Sequence, residues 1–191
     1  MRRILLKVAG LLAVLLIVAL LGAYVAGARM QPDYEGRVEI ELQATPDEIY
    51  AVLEDFERHP HGGSAVREVR PLAIEAGFGL GADSGPALAA WTEDLGSSQV
   101  TVRTVEATAP LRMVREMQDE VLPMHARWEL ELLPTSRGTK VVLLHSGAIE
   151  DGPWQVPLVR LMAKGFGLAD QGAQDFLDGL AERLGVEVVE G

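Results

Sequence analysis

The 191-residue chain contains no cysteine, which excludes disulfide bonds, thiolate chemistry and lipidation of a processed cysteine. It is also short of positive charge, with 17 lysine and arginine residues against 28 aspartate and glutamate residues and a formal net charge of −11. No basic stripe or basic patch interleaved with aromatic residues offsets that acidity. We therefore expect the protein to repel nucleic acids and to be attracted only weakly by anionic lipid head groups.

A further absence marks the N-terminus, where residues 8–28 carry no charge, no asparagine or glutamine and no proline. About 20 apolar residues are enough for a helix to cross a bilayer, and this segment lacks the polar stripe of a soluble core helix. Arg2, Arg3 and Lys7 precede it. By the positive-inside rule, these residues predict a cytoplasmic N-terminus and an extracytoplasmic remainder of the chain.

Two fates are open for this segment. It is either an uncleaved single-pass anchor in the cell membrane over residues 1–29, or a signal peptide whose cleavage near Ala28 leaves a secreted or periplasmic domain. The small residues Ala26 and Ala28 fit a cleavage site. The length of the apolar run and Tyr24 near its end favour the anchor, which is the form that we expect.

The residues after the segment begin with a strand and a helix. We expect a linker (30–36), a folded domain (37–185) and a C-terminal tail (186–191). The strict alternation of RVEIELQ is typical of a half-buried strand. Thr45, Pro46 and Glu48 then supply the N-cap, the first-turn proline and the capping box of a helix.

Six further strands and a last helix complete the pattern. The strands are expected at roughly 64–75, 87–95, 98–107, 111–119, 124–134 and 138–147. Their short connectors predict antiparallel neighbours. Apolar residues from Val159 to Leu184 recur at helical spacing and predict a long amphipathic helix with a bend near Gly165 and Gly167. The predicted fold class is therefore α+β, with a curved antiparallel sheet of about six or seven strands wrapped around the last helix.

Three stretches carry a resemblance to a known family: VEIELQATPDEIYAVLEDFERHP, ARWELELLPTSRGTKVVLLHSG and GLADQGAQDFLDGLAERLG. They resemble the polyketide cyclase/dehydrase and lipid-transport group of the START-like (Bet v 1-like, SRPBCC) helix-grip superfamily. The order of elements is similar over nearly all of 37–185. One departure is His61, Gly62 and Gly63, which stand where the family often has an aromatic residue, in a loop that borders its cavity mouth.

The resemblance implies a cavity between the concave face of the sheet and the last helix, open to a hydrophobic small molecule or a lipid. Methionine and aromatic side chains adapt well to irregular apolar ligands. The candidate lining residues are Trp91, Met113, Met117, Trp128, Met162, Phe166 and Ala169. For any one of them taken alone a filled core is the favoured interpretation, and it is the set as a whole that indicates a cavity.

No catalytic residue stands out from the sequence. Acid–base chemistry on an enolisable, polyketide-like substrate would need an ionisable side chain in the cavity. The candidates for that position are Glu93, Arg115, His125 and His145. His59 and His61 lack a third ligand at a fixed spacing, so neither a metal site nor a cofactor is expected.

The glycine-rich segment GFGLGA at 77–82 has the wrong context for a dinucleotide site, because no strand–turn–helix unit surrounds it. Three hypotheses of function remain. The first is a membrane-anchored binding protein for a hydrophobic ligand, and the second is a cyclase or dehydratase. The third is a protein-interaction domain that uses the acidic outer face of the sheet, which a completely filled cavity would favour.

Overall fold

The computed structural model describes residues 2–57, 66–73, 88–96 and 98–189, with side chains described from Lys7 onward. Several expectations concern residues outside these ranges. They are those for His59, the loop at His61, Gly62 and Gly63, the glycine-rich segment at 77–82 and the first residues of the strand from 64.

The described residues form a seven-stranded antiparallel sheet and four α-helices. The helices are α1 (Arg2–Ala28), α2 (Pro46–Glu54), α3 (Val156–Arg160) and α4 (Leu168–Leu184), and a π-helical turn covers Leu161–Gly165. The strands are β1 (Asp33–Leu42), β2 (Glu68–Pro71), β3 (Ala89–Asp94), β4 (Gln99–Thr108), β5 (Arg112–Asp119), β6 (Met124–Pro134) and β7 (Thr139–Ile149). Their order across the sheet is β1-β7-β6-β5-β4-β3-β2, so the predicted α+β class and strand number are confirmed.

β1 and the C-terminal residues extend beyond the expected boundaries. The strand begins at Asp33, inside the expected linker, because Asp33 to Gly36 continue the antiparallel pairing with β7. In the expected tail, Val188 forms a bridge with Leu42, and the amide of Val189 donates to the Glu41 carbonyl at 2.8 Å. The tail therefore satisfies backbone groups on the free edge of β1.

The start of α2 follows from its local sequence. The hydroxyl of Thr45 accepts a bond from the Glu48 amide at 3.3 Å, and the Glu48 carboxylate accepts one from the Thr45 amide at 2.8 Å. This reciprocal pair is the predicted capping box. Ile49, Tyr50 and Leu53 then face the interior.

The main core lies between α4 and the inner face of β6 and β7. Phe176, Leu177 and Leu180 on α4 belong to one buried cluster with Leu130 and Leu132 on β6, and each of the five is at most 1% exposed. The predicted docking of the last helix on this strand face is confirmed.

The expected long C-terminal helix is interrupted rather than only bent. α3 passes into the π-helical turn, and Gly167 then takes a left-handed conformation (φ +67°) before α4 begins. A π-helical turn holds more residues than an α-helical one, so side chains before and after it no longer follow one helical stripe. The interruption falls in the region where the sequence indicates a bend.

The outer face of the sheet carries paired charges. Arg127 contacts Glu116 at 3.1 Å and Glu129 at 3.0 Å, and Arg112 contacts Glu129 at 2.9 Å and also Glu106. Each exposed pair contributes little to stability. Together these pairs offset much of the negative charge that the sequence places on this face.

Candidate functional site

The register of the sheet divides its inner face into rows of side chains that run across the strands. Directly opposed residues in neighbouring antiparallel strands lie side by side on the same face. Three successive rows differ sharply in the size and polarity of their side chains. Those differences determine where the interior is filled and where it is open.

The first row, called here the core row, consists of large apolar residues. From β5 to β1 it contains Met113, Leu130, Leu143 and Val38. Met113, Leu130 and Leu143 are buried in the main core cluster, and Val38 packs against it. No space for a ligand opens at this level of the described core.

The next row, called here the polar row, places two ionisable groups on either side of an indole. It contains Arg115, Trp128, His145 and Gly36. Neighbouring strands are about 4.8 Å apart, so the backbones of Arg115 and His145 are separated by roughly 10 Å, with Trp128 between them. The Trp128 ring meets Phe176 of α4 edge-on, with 5.0 Å between ring centroids.

The third row, called here the open row, contains two of the smallest residues on the inner face, an alanine and a glycine. It consists of Met117, Ala126, Gly147 and Tyr34. A Cβ atom on Gly147 would lie 2.7 Å from the Tyr34 hydroxyl, so a glycine is needed for the tyrosine ring to lie here. Because Ala126 and Gly147 fill little volume, the sheet and α4 enclose a space at this level.

That space is an apolar cavity of about 450 Å³, within the usual size of a small-molecule site. Its apolar wall includes Val102, Met117, Trp128, Ile149, Val159 and Phe176. Its polar wall residues are Tyr34, Glu93, Arg115, Gln118, Asp119 and His145. The side chains of the described residues do not fill the cavity, so among them the condition that would favour a pure protein-interaction domain is not met.

A second, more polar pocket of about 1,180 Å³ adjoins the cavity. Asp33, Glu35, Arg127 and Lys164 are among its lining residues, as is His125. The two spaces share wall residues that include Tyr34, Gln118, Ala126, His145, Ala163 and Ala169. The shared wall places Tyr34 and His145 between a polar and an apolar space.

Arg115 is the most strongly perturbed ionisable group on the cavity wall. Burial lowers its pKa to about 10, well below the ordinary value for arginine, although attraction to Glu93 acts in the opposite direction. Its Nη2 donates to the Leu53 carbonyl at the end of α2, and its guanidinium carbon lies 5.0 Å from the centre of the Trp91 ring. The Trp91 indole in turn donates to Glu93 at 2.9 Å. At neutral pH the guanidinium remains charged in this largely apolar setting.

His145 lies in the polar row on the other side of Trp128 from Arg115. Its Nε2 lies 2.9 Å from Oδ1 of Asp170 on α4, which is an ion-pair distance, although the two atoms are not aligned as hydrogen-bond donor and acceptor. A Cβ atom on Gly36 would lie within 2.4 Å of both groups, so glycine is required beneath the pair. Burial raises the pKa of the neighbouring Tyr34, which keeps its phenol neutral at physiological pH.

Four of the seven residues expected to line a cavity lie on this wall, namely Met117, Trp128, Met162 and Ala169. The other three lie elsewhere. Met113 belongs to the core row, Trp91 stacks on Phe56 with 5.8 Å between ring centroids, and Phe166 is 71% exposed. Phe166 points away because it follows the π-helical turn that sequence periodicity did not reveal. Whether the four wall residues bind a ligand stays a prediction.

The polar candidates are also separated by the structure. Glu93, Arg115 and His145 line the apolar cavity, whereas His125 lines only the polar pocket. Sequence reasoning did not single out Tyr34, Ala126, Gly147 or Asp170. The small size of Ala126 and Gly147 on an inner strand face is the signal that was present, but it becomes meaningful only when the register aligns them.

Comparison with protein-family models and with curated proteins finds no match for this chain. Solved structures do match. The di-domain ARO/CYC StfQ from the steffimycin biosynthetic pathway is 12% identical, with a TM-score of 0.60 over 80% of this chain and 51% of that one. Protein CV1439 from Chromobacterium violaceum is 17% identical, with a TM-score of 0.54 over 78% of this chain and 96% of its own. Ara h 8.0201 is 11% identical, with a TM-score of 0.54 over 80% and 97%.

These likenesses, at such low identity, establish the fold. The chain has the helix-grip architecture of Bet v 1-like proteins, as the resemblance of its sequence implies. The shared feature is a long helix laid against an antiparallel sheet.

Proposed function

We propose that this protein is a membrane-anchored binding protein that holds a hydrophobic small molecule or lipid in the apolar cavity. The observation that carries the proposal is the change from the filled core row to the open row, where Ala126 and Gly147 leave about 450 Å³ empty. Apolar space lined by methionine and aromatic side chains is favourable for an irregular apolar ligand.

Purification of the full chain in mild detergent from its host, followed by native mass spectrometry, tests this proposal. We expect a co-purifying apolar molecule on the wild-type protein and its loss in Ala169→Phe, because that ring would enter the cavity from α4. Gln171→Phe is the matched control, since Gln171 is on the exposed face of the same helix. A wild-type protein that carries no ligand and takes up no fatty acid, quinone or polyketide-like probe would refute the proposal.

The membrane anchor is supported by the way α1 meets the rest of the chain. Lys7–Ala28 is long and apolar enough to span a bilayer, with a mean hydropathy of 2.7. At its end the backbones of Gly27 and Pro157 touch, since a Cβ on Gly27 would lie 1.7 Å from the Pro157 carbonyl oxygen. Lys164 also donates to the Gln31 carbonyl at 3.0 Å. Cleavage near Ala28 would remove the α1 side of this packing.

The segment that packs on α1 also exposes large apolar side chains. Trp154 and Phe166 are 67% and 71% exposed, and half of the Met162 surface is accessible. If α1 spans the bilayer, these side chains lie near its outer surface, where tryptophan is enriched in membrane proteins. Met162 is also on the cavity wall, so we propose that the cavity opens towards the membrane.

Fractionation and intact-mass measurement test the anchor separately from the ligand. The full-length protein should remain in the membrane pellet after carbonate washing, and protease added to spheroplasts should digest the domain. A soluble species that begins at Arg29 would replace the anchor by a cleaved signal peptide. Protection from protease in spheroplasts would overturn the topology common to both forms.

A second candidate function is a cyclase or dehydratase that acts on an enolisable substrate, and the polar row is the observation that favours it. In this role Arg115 would stabilise an enolate oxygen and His145 would exchange a proton with the adjacent carbon, since both residues line the cavity. Incubation of enolisable ketones in deuterated water tests this role. Faster deuterium incorporation that is lost in His145→Gln would support it, and incorporation at the uncatalysed rate would exclude it for those probes.

A further inference from the structure

Within the described parts of the chain, the positive charge of Arg115 has no carboxylate at ion-pair distance. The side chain is 3% exposed, and its guanidinium forms no ion pair with any carboxylate among the described residues. Glu93 attracts it only through space. A buried cation is favourable only when opposite charge or several good acceptors surround it.

The contacts that Arg115 does make hold its position without neutralising it. The Leu53 carbonyl lies in the last turn of α2, where the helix dipole is negative, and the Trp91 face offers a cation–π contact at 5.0 Å. Neither carries a unit negative charge. The buried Nε atom has no hydrogen-bond acceptor in the described part of the chain. Among the described residues, Arg115 therefore brings to the lining of the apolar cavity a positive charge that no carboxylate pairs with directly.

We propose, on the basis of the binding function above, that the ligand is a single-chain amphiphile with a carboxylate head group, which Arg115 receives. The two oxygens of a carboxylate match the planar fork of a guanidinium, and such a bond is charge-assisted. The chain of the ligand then lies along the open row, against Met117 and Ala126. A neutral alcohol or ester can occupy the same apolar space, but it leaves the charge of Arg115 uncompensated.

Competition among three probes of equal chain length tests this assignment. The full chain in non-ionic detergent is incubated with equimolar decanoate, decanol and methyl decanoate, and native mass spectrometry counts the bound species. After correction for partition into detergent, we expect bound decanoate to exceed either neutral probe by about tenfold or more. The reason is that a hydrogen bond between charged groups is stronger than one to a neutral head group. Equal occupancy of the three probes would overturn the carboxylate assignment while leaving a binding function intact.

Two variants and a control assign the preference to the guanidinium. Arg115→Met keeps a long side chain without charge and should bring the ratio of decanoate to decanol close to one. Arg115→Lys keeps the charge but not the fork and should retain only part of the preference. Arg112→Met removes a guanidinium from the outer face of the same strand, away from the cavity, and should leave the ratio unchanged. A preference that survives in Arg115→Met would refute the proposal.

A second measurement needs no variant and covers the case in which Arg115→Met does not fold. The carboxyl of ¹³C-labelled decanoate titrates with a characteristic change in its NMR shift. Bound to the wild-type protein, it should stay ionised at a pH where micellar decanoate is already protonated, because a nearby cation favours the charged form. If protein-bound and micellar decanoate titrated at the same pH, the proposed contact between the carboxylate and Arg115 would be wrong. If none of the three probes binds while the protein still carries a co-purifying apolar molecule, the carboxylate assignment fails and the binding function stands.

Discussion

Truncation of Leu180 to alanine should strongly destabilise the protein. The side chain is fully buried between α4 and the sheet, in one cluster with Leu130 and Leu132. The change removes about three methyl or methylene groups, which at ~0.8 kcal/mol each amounts to ~2.4 kcal/mol of lost burial. The vacated space adds to this loss, so we expect about 2.5 to 4 kcal/mol, within the usual range of ~2–5 kcal/mol for such changes.

Thermal unfolding of the full chain in detergent, followed by the fluorescence of the buried tryptophans, measures the effect. For a domain of this size each kcal/mol lowers Tm by roughly 2–4 °C, so the variant should melt about 5–15 °C below the wild type. Leu133→Ala is the matched control, since Leu133 is on the outer face of the same strand as Leu132 and is 45% exposed. We expect it to change stability by less than ~0.5 kcal/mol. Equal Tm values for the two variants would show that α4 is not docked on the sheet as described.

Four glycine positions give further tests, two by the same melting assay and two by protease cleavage. Gly36→Ala should lower stability by about 1–3 kcal/mol, because the added methyl would lie 2.3 Å from a carboxylate oxygen of Asp170; an unchanged Tm would refute this close packing. Gly172→Ala, which meets no atom within 4 Å, should instead stabilise α4 by about 0.5–1 kcal/mol, and a loss of stability would contradict the open space beside it. Gly27→Leu should detach α1 from α3 and so speed protease cleavage near residue 30. Gly22→Leu should leave the cleavage rate unchanged, because Gly22 has open space around it. Equal cleavage rates of the Gly27→Leu and Gly22→Leu variants would argue against the contact between Gly27 and Pro157.

The sequence was informative wherever a structural feature depends on neighbouring residues. The capping box at Thr45 and Glu48, the alternation of β1 and β6 and the apolar stripe of α4 each follow from local spacing, and each is present in the structure. The alternation also assigns Trp128, Leu130 and Leu132 to the inner face. These are short-range patterns, which is why a single sequence was sufficient to predict them.

The composition of the cavity wall depends instead on how strands align. Met113 and Met117 are on the same face of β5, yet the first faces Leu130 in the core row and the second faces Ala126 in the open row. Alternation predicts the face but not the partner across the sheet, so the sequence alone could not separate the two methionines. Phe166 was misplaced for a related reason, because a π-helical turn changes the helical phase without a clear sequence signal.

The division of the inner face into rows implies that stability and ligand binding are separable in this protein. Leu180 packs with the core-row residue Leu130, whereas Ala169 lies on the wall of the cavity that the open row leaves. Leu180→Ala should therefore melt early but still bind its ligand below its Tm, while Ala169→Phe should lose the ligand with little loss of stability. Two variants on one helix would then show opposite phenotypes. If both lost stability and ligand together, the cavity would be part of the folding core rather than a preformed site.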